Sequence, residues 1–91
     1  NKVIIVQNLS FNVRSSHLNE IFSNFGKVQV DMGYIKGHCA GVALIKFDKH
    51  SQALEAISKM NSGNIDGLTI SVGFADPQKS IDDYIRLYHN K

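Results

Sequence analysis

The sequence predicts a single α+β domain, a β-α-β-β-α-β sandwich, with one extra helix at its C-terminal end. Three observations lead there. Short β-branched or alternating runs recur at residues 3–6, 28–32, 42–47 and 69–74. Two stripes of apolar residues at helical spacing separate them in the required order. A third such stripe follows Pro77. With 91 residues, the chain has room for one modest core and no second domain.

The elements follow in order. Val3-Ile4-Ile5-Val6 is a β-branched run closed by Asn8-Leu9-Ser10, a buried strand ending in a turn. Leu18, Ile21, Phe22 and Phe25 then recur at i, i+3, i+4 and i+7, one face of an amphipathic helix, and Gly26 stands where a C-terminal glycine belongs. Arg14 is a poor cap, so Ser15 or Ser16 is expected to open that helix. Val28, Val30 and Met32 alternate with Gln29, Asp31 and Gly33, the period of a strand. Residues 36–41 read as a turn, and Val42 to Phe47 as the next strand. Ala53, Ala56, Ile57 and Met60 give the second helix, ended by Asn61-Ser62-Gly63-Asn64. Ile70, Val72 and Phe74 alternate with Thr69, Ser71 and Gly73 as the last strand. Two helices can cover only one side of such a sheet, which leaves the other side free to bind.

Beyond Pro77, Ser80-Ile81-Asp82-Asp83 combines a capping serine with early acids that suit a helix dipole. Ile81, Tyr84, Ile85 and Tyr88 recur at helical spacing. The chain therefore divides into a domain over residues 1–76 and a linker with a short amphipathic helix over residues 77–91.

Composition is that of an ordinary globular domain: 43% hydrophobic and 20% charged, with a formal net charge of +2. Ten Lys and Arg against eight Asp and Glu permit contact with a polyanion without demanding it, and the lysines are scattered. The single Cys39 excludes an internal disulfide and fits cytosol or nucleus. No apolar run approaches the length of a membrane span. The chain begins at Asn1 rather than Met, which suggests a segment of a longer protein.

Ile4-Ile5-Val6-Gln7-Asn8-Leu9 resembles the first-strand hexamer of the RNA-recognition-motif superfamily. Ala40-Gly41-Val42-Ala43-Leu44-Ile45-Lys46-Phe47 resembles its third-strand octamer, and Phe22-x-x-Phe25-Gly26 lies between them as the family pattern requires. The likeness covers about residues 2 to 75 and implies the ferredoxin-like form of the β-α-β-β-α-β sandwich. Members of that family stack bases on exposed aromatics of strands one and three. Here those positions hold Ile5, Val42 and Leu44, and Ala40 replaces the basic residue that opens the octamer. Stacking on an aromatic is worth about 1–3 kcal/mol per base, and an aliphatic side chain has no π-face to offer.

Within the superfamily, the chain looks most like the Aly/REF group of messenger-RNA export adaptors. The resembling pieces are residues 4–11, Ala40-Gly41-Val42-Ala43, Leu54-Glu55-Ala56-Ile57 and the run from Met60-Asn61 to Ile65-Asp66-Gly67. The tail carries the sharper likeness. Ser80-Ile81-Asp82-Asp83-Tyr84-Ile85-Arg86-Leu87-Tyr88 is similar to the short acidic-hydrophobic helix with which these adaptors contact a DEAD-box RNA helicase. The resemblance implies that Ile81, Asp82, Asp83, Tyr84, Ile85, Leu87 and Tyr88 bind such a helicase or another mRNP protein, in the nucleus. The Arg- and Gly-rich flanks that usually give these adaptors most of their RNA affinity are absent from these residues.

Four further residues are candidates for RNA contact: Tyr34 near the end of strand two, Lys36 and His38 in the turn after it, and Lys46 on the open sheet face. Together they would make a small edge with phosphate contacts and one stacking ring. The plainer alternative places Tyr34 at the core margin with solvated lysines, and the sequence leaves both open. His38-Cys39 with His17 or His50 fits no standard zinc spacing. Asp82 and Asp83 have no nucleophile-base pairing beside them, so neither a catalytic residue nor a cofactor or small-molecule substrate is expected. Val3, Ile5, Val42 and Leu44 would leave an apolar patch if uncovered, and the tail helix is expected to reach back over it. Two other readings stay open: a plain single-stranded RNA binder using its sheet, and a domain used only for heterodimerisation.

Overall fold

A computed structural model describes residues 1–90. The elements are β1 (Val3–Gln7), α1 (Ser15–Phe22), β2 (Val28–Ile35), β3 (His38–Phe47), α2 (His50–Met60), β4 (Asn64–Ile65), β5 (Leu68–Thr69), β6 (Ser71–Phe74) and α3 (Ile81–His89). Four strands form one antiparallel sheet in the order β2-β3-β1-β6, with α1 and α2 on one face. This is the ferredoxin-like α+β fold expected, with its additional C-terminal helix; the tail segment ends at residue 91, which lies outside the described residues.

Register follows from the alternation of side chains. Ile4 pairs with Ile45 and Val6 with Ala43, so these residues share the helix-facing side with Phe47 and Val72. Leu18 and Phe22 of α1 and Ala53 and Ala56 of α2 close over them, all fully buried. The small alanines let α2 approach the sheet closely, while Phe22 and Phe47 fill the volume between the layers.

Five local expectations are corrected. Arg14, not a serine, occupies the N-cap of α1, and its side chain makes no capping bond; Ser15 and Ser16 are already helical. α1 also ends at Phe22, and Phe25 belongs to a single 3₁₀ turn that Gly26 closes. The β2–β3 connection is not a six-residue turn. It is the two-residue turn Lys36-Gly37, both at positive φ (51° and 81°), which is the twist a tight hairpin needs. β3 therefore starts at His38, paired with Ile35. Between α2 and β6 the chain adds a small hairpin, β4–β5, turned by Asp66-Gly67. Finally, Phe74 does not join Ile70 and Val72 in the core. It lies at the sheet edge and stacks on His50, with ring centroids 5.1 Å apart and planes within 6°.

Ile45 sits at the centre of this core, wholly buried between Ile4 and Val30 on its neighbouring strands. Ile45→Ala is expected to destabilise the domain by about 2–5 kcal/mol, read as a shift of the urea midpoint with an unchanged slope.

Candidate nucleic-acid interface

The second face of the sheet is built by the alternate residues of β1 and β3. Ile5 stands opposite Leu44, Val3 opposite Lys46, and Gln7 opposite Val42. α3 folds back over this face. Its start is fixed by a reciprocal cap: the Asp83 N–H donates to Ser80 Oγ at 3.2 Å, and the Ser80 N–H donates to Asp83 Oδ2 at 2.9 Å. Once wound, the helix turns Ile81, Tyr84, Ile85 and Tyr88 toward the sheet, where they pack with Ile5, Val42, Ala75, Val3 and Leu44.

Two glycines make the close approach possible. A β-carbon at Gly33 would stand 3.0 Å from Ile85 Cγ1, and one at Gly41, where φ is +92°, would meet the Tyr88 ring at 2.8 Å. Polar bonds then tie down the helix. The Asp76 N–H donates to Tyr84 Oη at 2.8 Å, and Tyr88 Oη donates to Asn8 Oδ1 at 3.2 Å. His89 Nε2 lies 2.7 Å from the carbonyl oxygen of Ala40, to which it donates. Of the three positions where stacking aromatics would stand, Ile5 and Val42 are thus buried under α3, and Leu44 is half-buried at its margin.

The structure divides the tail residues into two sets. Tyr84 is buried, and Ile81, Ile85 and Tyr88 are half-buried against the sheet. Asp82 is exposed, and Leu87 points outward at 52% exposure. Asp83 is used in the cap and also pairs with Arg86. The Ser80 backbone bond holds its carboxyl below the ordinary aspartate range, with Arg86 assisting.

The four candidate RNA contacts do not gather at one edge. Lys46 sits near the far end of β3, beside Gln29 and Val3, and it borders a shallow depression that also holds the exposed Asp31. Eight residues of strand, roughly 27 Å at about 3.4 Å each, separate it from His38. Tyr34, Lys36 and His38 do lie together at the hairpin end. A register irregularity between Met32 and Tyr34 places Tyr34 opposite Cys39 and turns it toward the β1–α1 loop. There it lines a cleft of about 560 Å³ with Phe11, Arg14, Gly37 and His38. Phe11 and Arg14 were missed in the sequence. A lone phenylalanine after the first strand reads as core, and only its 65% exposure marks it otherwise. The Cys39 thiol is buried beside Met32, and burial pushes its pKa up, so it behaves as a core group. Among the described residues, no helix is long and apolar enough to cross a membrane.

Comparison with known proteins agrees with this geometry. Residues 4–71 match the family model described as RNA recognition motif. The chain is 34% identical over 76 residues to heterogeneous nuclear ribonucleoprotein Q of Homo sapiens, covering 84% of this chain and 11% of that protein. It is 31% identical over 97 residues to the RNA-binding protein with serine-rich domain 1 homolog of Schizosaccharomyces pombe, covering 98% of this chain and 38% of that one. The chain thus spans only a minor part of these relatives. Among solved structures, the RRM3 domain of Hrb1 superposes with a TM-score of 0.79 at 29% identity, over 84% of this chain and 78% of that one. The RRM of RNA15 superposes at 0.80 and 17% identity, over 91% and 95%, a likeness of fold.

Two outcomes follow from the way α3 is held. Tyr84→Phe keeps the ring but removes the acceptor for the Asp76 N–H, and is expected to loosen α3 by about 0.5–1.5 kcal/mol. The readout is faster amide exchange over residues 81–89 with β1 and β3 unchanged. Because the Asp83 pKa is depressed on folding, its capping contribution is complete above the ordinary aspartate range and is lost as pH falls through the depressed value. An NMR titration into acid should therefore move the amides of residues 80 and 83 together, and should not do so in Asp83→Asn.

Proposed function

The chain belongs to the RNA recognition motif family, whose members are non-enzymatic RNA-binding modules, and from that premise we propose that it is an adaptor of nuclear messenger-RNA processing or export. It contacts RNA weakly and recruits a partner protein through α3, and a DEAD-box RNA helicase is the partner its tail sequence favours. The observation that carries this reading is the occupation of the sheet by the chain's own helix. Where stacking aromatics would be needed, the sheet presents Ile5 and Val42, and α3 covers both. Ordinary sheet-face readout of RNA is thereby weakened twice, once by chemistry and once by access.

α3 is well suited to exchange. It is a capped amphipathic helix with a single apolar stripe, the form that docks in a partner's groove through residues at i, i+3, i+4 and i+7. The stripe cannot serve the sheet and a partner together, so recruitment requires α3 to leave the sheet. A docking free energy of about 2 kcal/mol would leave it undocked roughly 3% of the time and weaken a partner's apparent affinity about 30-fold. The outer residues Asp82 and Leu87 are accessible in either position and can make the first contact. The printed names of the relatives, a nuclear ribonucleoprotein and an RNA-binding protein, support the setting.

Calorimetric titration of the intact chain with an export-type DEAD-box helicase tests this, beside Ile81→Ala/Ile85→Ala and Gly33→Ala. The double variant should abolish binding. Gly33→Ala crowds Ile85 from the sheet side, and the Val42 carbonyl of β3 with it, while leaving α3 unaltered; with β2 and β3 amide shifts showing the sheet intact, losing about 1 kcal/mol of docking should tighten binding about fivefold. Failure of both the intact chain and Gly33→Ala to bind would remove the helicase and leave α3 as a structural cover.

A further inference from the structure

We propose that the cleft between the β1–α1 loop and the β2–β3 hairpin, lined by Phe11, Tyr34, His38 and Arg14 with Lys36 in the adjoining turn, is the binding site for single-stranded RNA. The proposal rests on the reading that this chain contacts RNA and says where. Phe11 and Tyr34 are 65% and 55% exposed, the two most exposed large hydrophobic side chains among the described residues, and both line this one cleft. Neither ring serves the core. A third ring, His38, meets Phe11 edge-on with centroids 6.1 Å apart. Rings left in water at the rim of a cleft are the platform on which unpaired bases stack.

The charges around the rings suit the backbone of such a strand. Arg14 is exposed and lines the cleft, and the exposed Lys36 forms the hairpin turn beside it. No carboxylate lines the cleft among the described residues. The open part of the sheet differs, because there Asp31 stands close to Lys46 and opposes a phosphate. The start of α1 adds to this. Its N-cap residue Arg14 offers no side-chain acceptor, and its first turn contains no acid, so the positive end of the helix faces the cleft uncompensated. A mixed aromatic and basic cleft of about 560 Å³ is the size for a base or two with their phosphates, rather than for a folded partner.

Gly37, at φ +81°, keeps the hairpin tip tight and free of a side chain where it borders the cleft. Lys36 is itself at positive φ, so its side chain leaves the hairpin in a direction set by the turn. The cleft is thus assembled by the β1–α1 loop and the β2–β3 hairpin, and it does not require α3 to move.

The test is an NMR and fluorescence-anisotropy titration of the intact chain with fluorescein-labelled octauridylate, octaadenylate and octacytidylate, at two salt concentrations. Phe11→Ala/Tyr34→Ala should lower affinity for the oligonucleotide bound best by tenfold or more. Its thermal midpoint and its helicase titration should match the intact chain, since neither ring is in the core or on α3. Arg14→Gln/Lys36→Gln should weaken binding and flatten the dependence of log K on log salt by about 1.4. Chemical-shift changes should centre on Phe11, Arg14, Tyr34 and His38. The proposal is overturned if the aromatic double variant binds as the intact chain does. It also fails if the shifts gather on Gln29, Leu44 and Lys46 instead, or if none of the three oligonucleotides binds saturably. Because no helicase is present in these titrations, their failure leaves the recruitment reading standing, and the reverse holds as well.

Discussion

A four-stranded sheet that is apolar on both faces must be covered twice, and the contact of the α3 stripe with Ile5 and Val42 is what makes the second cover. α1 and α2 take one side. On the other, Val3, Ile5, Val42 and Leu44 form a contiguous apolar surface that water would otherwise meet. Tyr84 is the pivot of the solution. Its ring is buried among those side chains, while its hydroxyl accepts from the Asp76 backbone just before the linker. One side chain therefore fixes both the packing of the helix and the path of the chain that delivers it.

Much of this was legible in the sequence, for a physical reason. Burial imposes periodicity, so Ile4 and Val6, Val42 to Phe47, and Leu18 with Phe22 announce their elements directly. The α3 stripe and its Ser80 cap were equally plain. What stayed hidden was set by backbone conformation. The two-residue turn at Lys36-Gly37 and the β4–β5 hairpin both depend on non-glycine residues adopting positive φ, at Lys36 and Asp66. Lysine in particular gives no signal of that. Phe74 kept the alternation of its strand and still left the core, because it lies on an edge strand at the rim where His50 offers a ring to stack on.

The candidate site was less legible than the fold. Tyr34, Lys36 and His38 do come together, but Lys46 does not, because strand alternation specifies a face and says little about distance along it. The partners of Tyr34 come from the β1–α1 loop, far away in sequence, and the irregularity after Met32 decides which way the ring turns. Neither feature has a periodic signature. Gly33 and Gly41 are similar cases: in the sequence one is a weak spot in a strand and the other closes a turn, and in the structure each is a gap into which Ile85 or Tyr88 fits.

The two proposed surfaces share a border, and this constrains how they would act together. The C-terminal end of α3 is held by Asn8 and by the Ala40 carbonyl. Asn8 opens the loop that carries Phe11, and its amide also donates to Thr69 O at 2.8 Å, while Ala40 lies two residues from His38. Releasing α3 frees one of the restraints on Asn8 and removes the His89 bond from the strand that leads to the cleft. Any ligand that favours the restrained loop must therefore favour docked α3 by the same factor, and a partner that takes α3 must weaken that ligand equally. The coupling is limited because Asn8 keeps its bond to Thr69, and the Leu9 N–H still donates to Gly41 O at 3.0 Å. Those two bonds hold the loop whether or not the helix is present, so each surface can work alone while biasing the other.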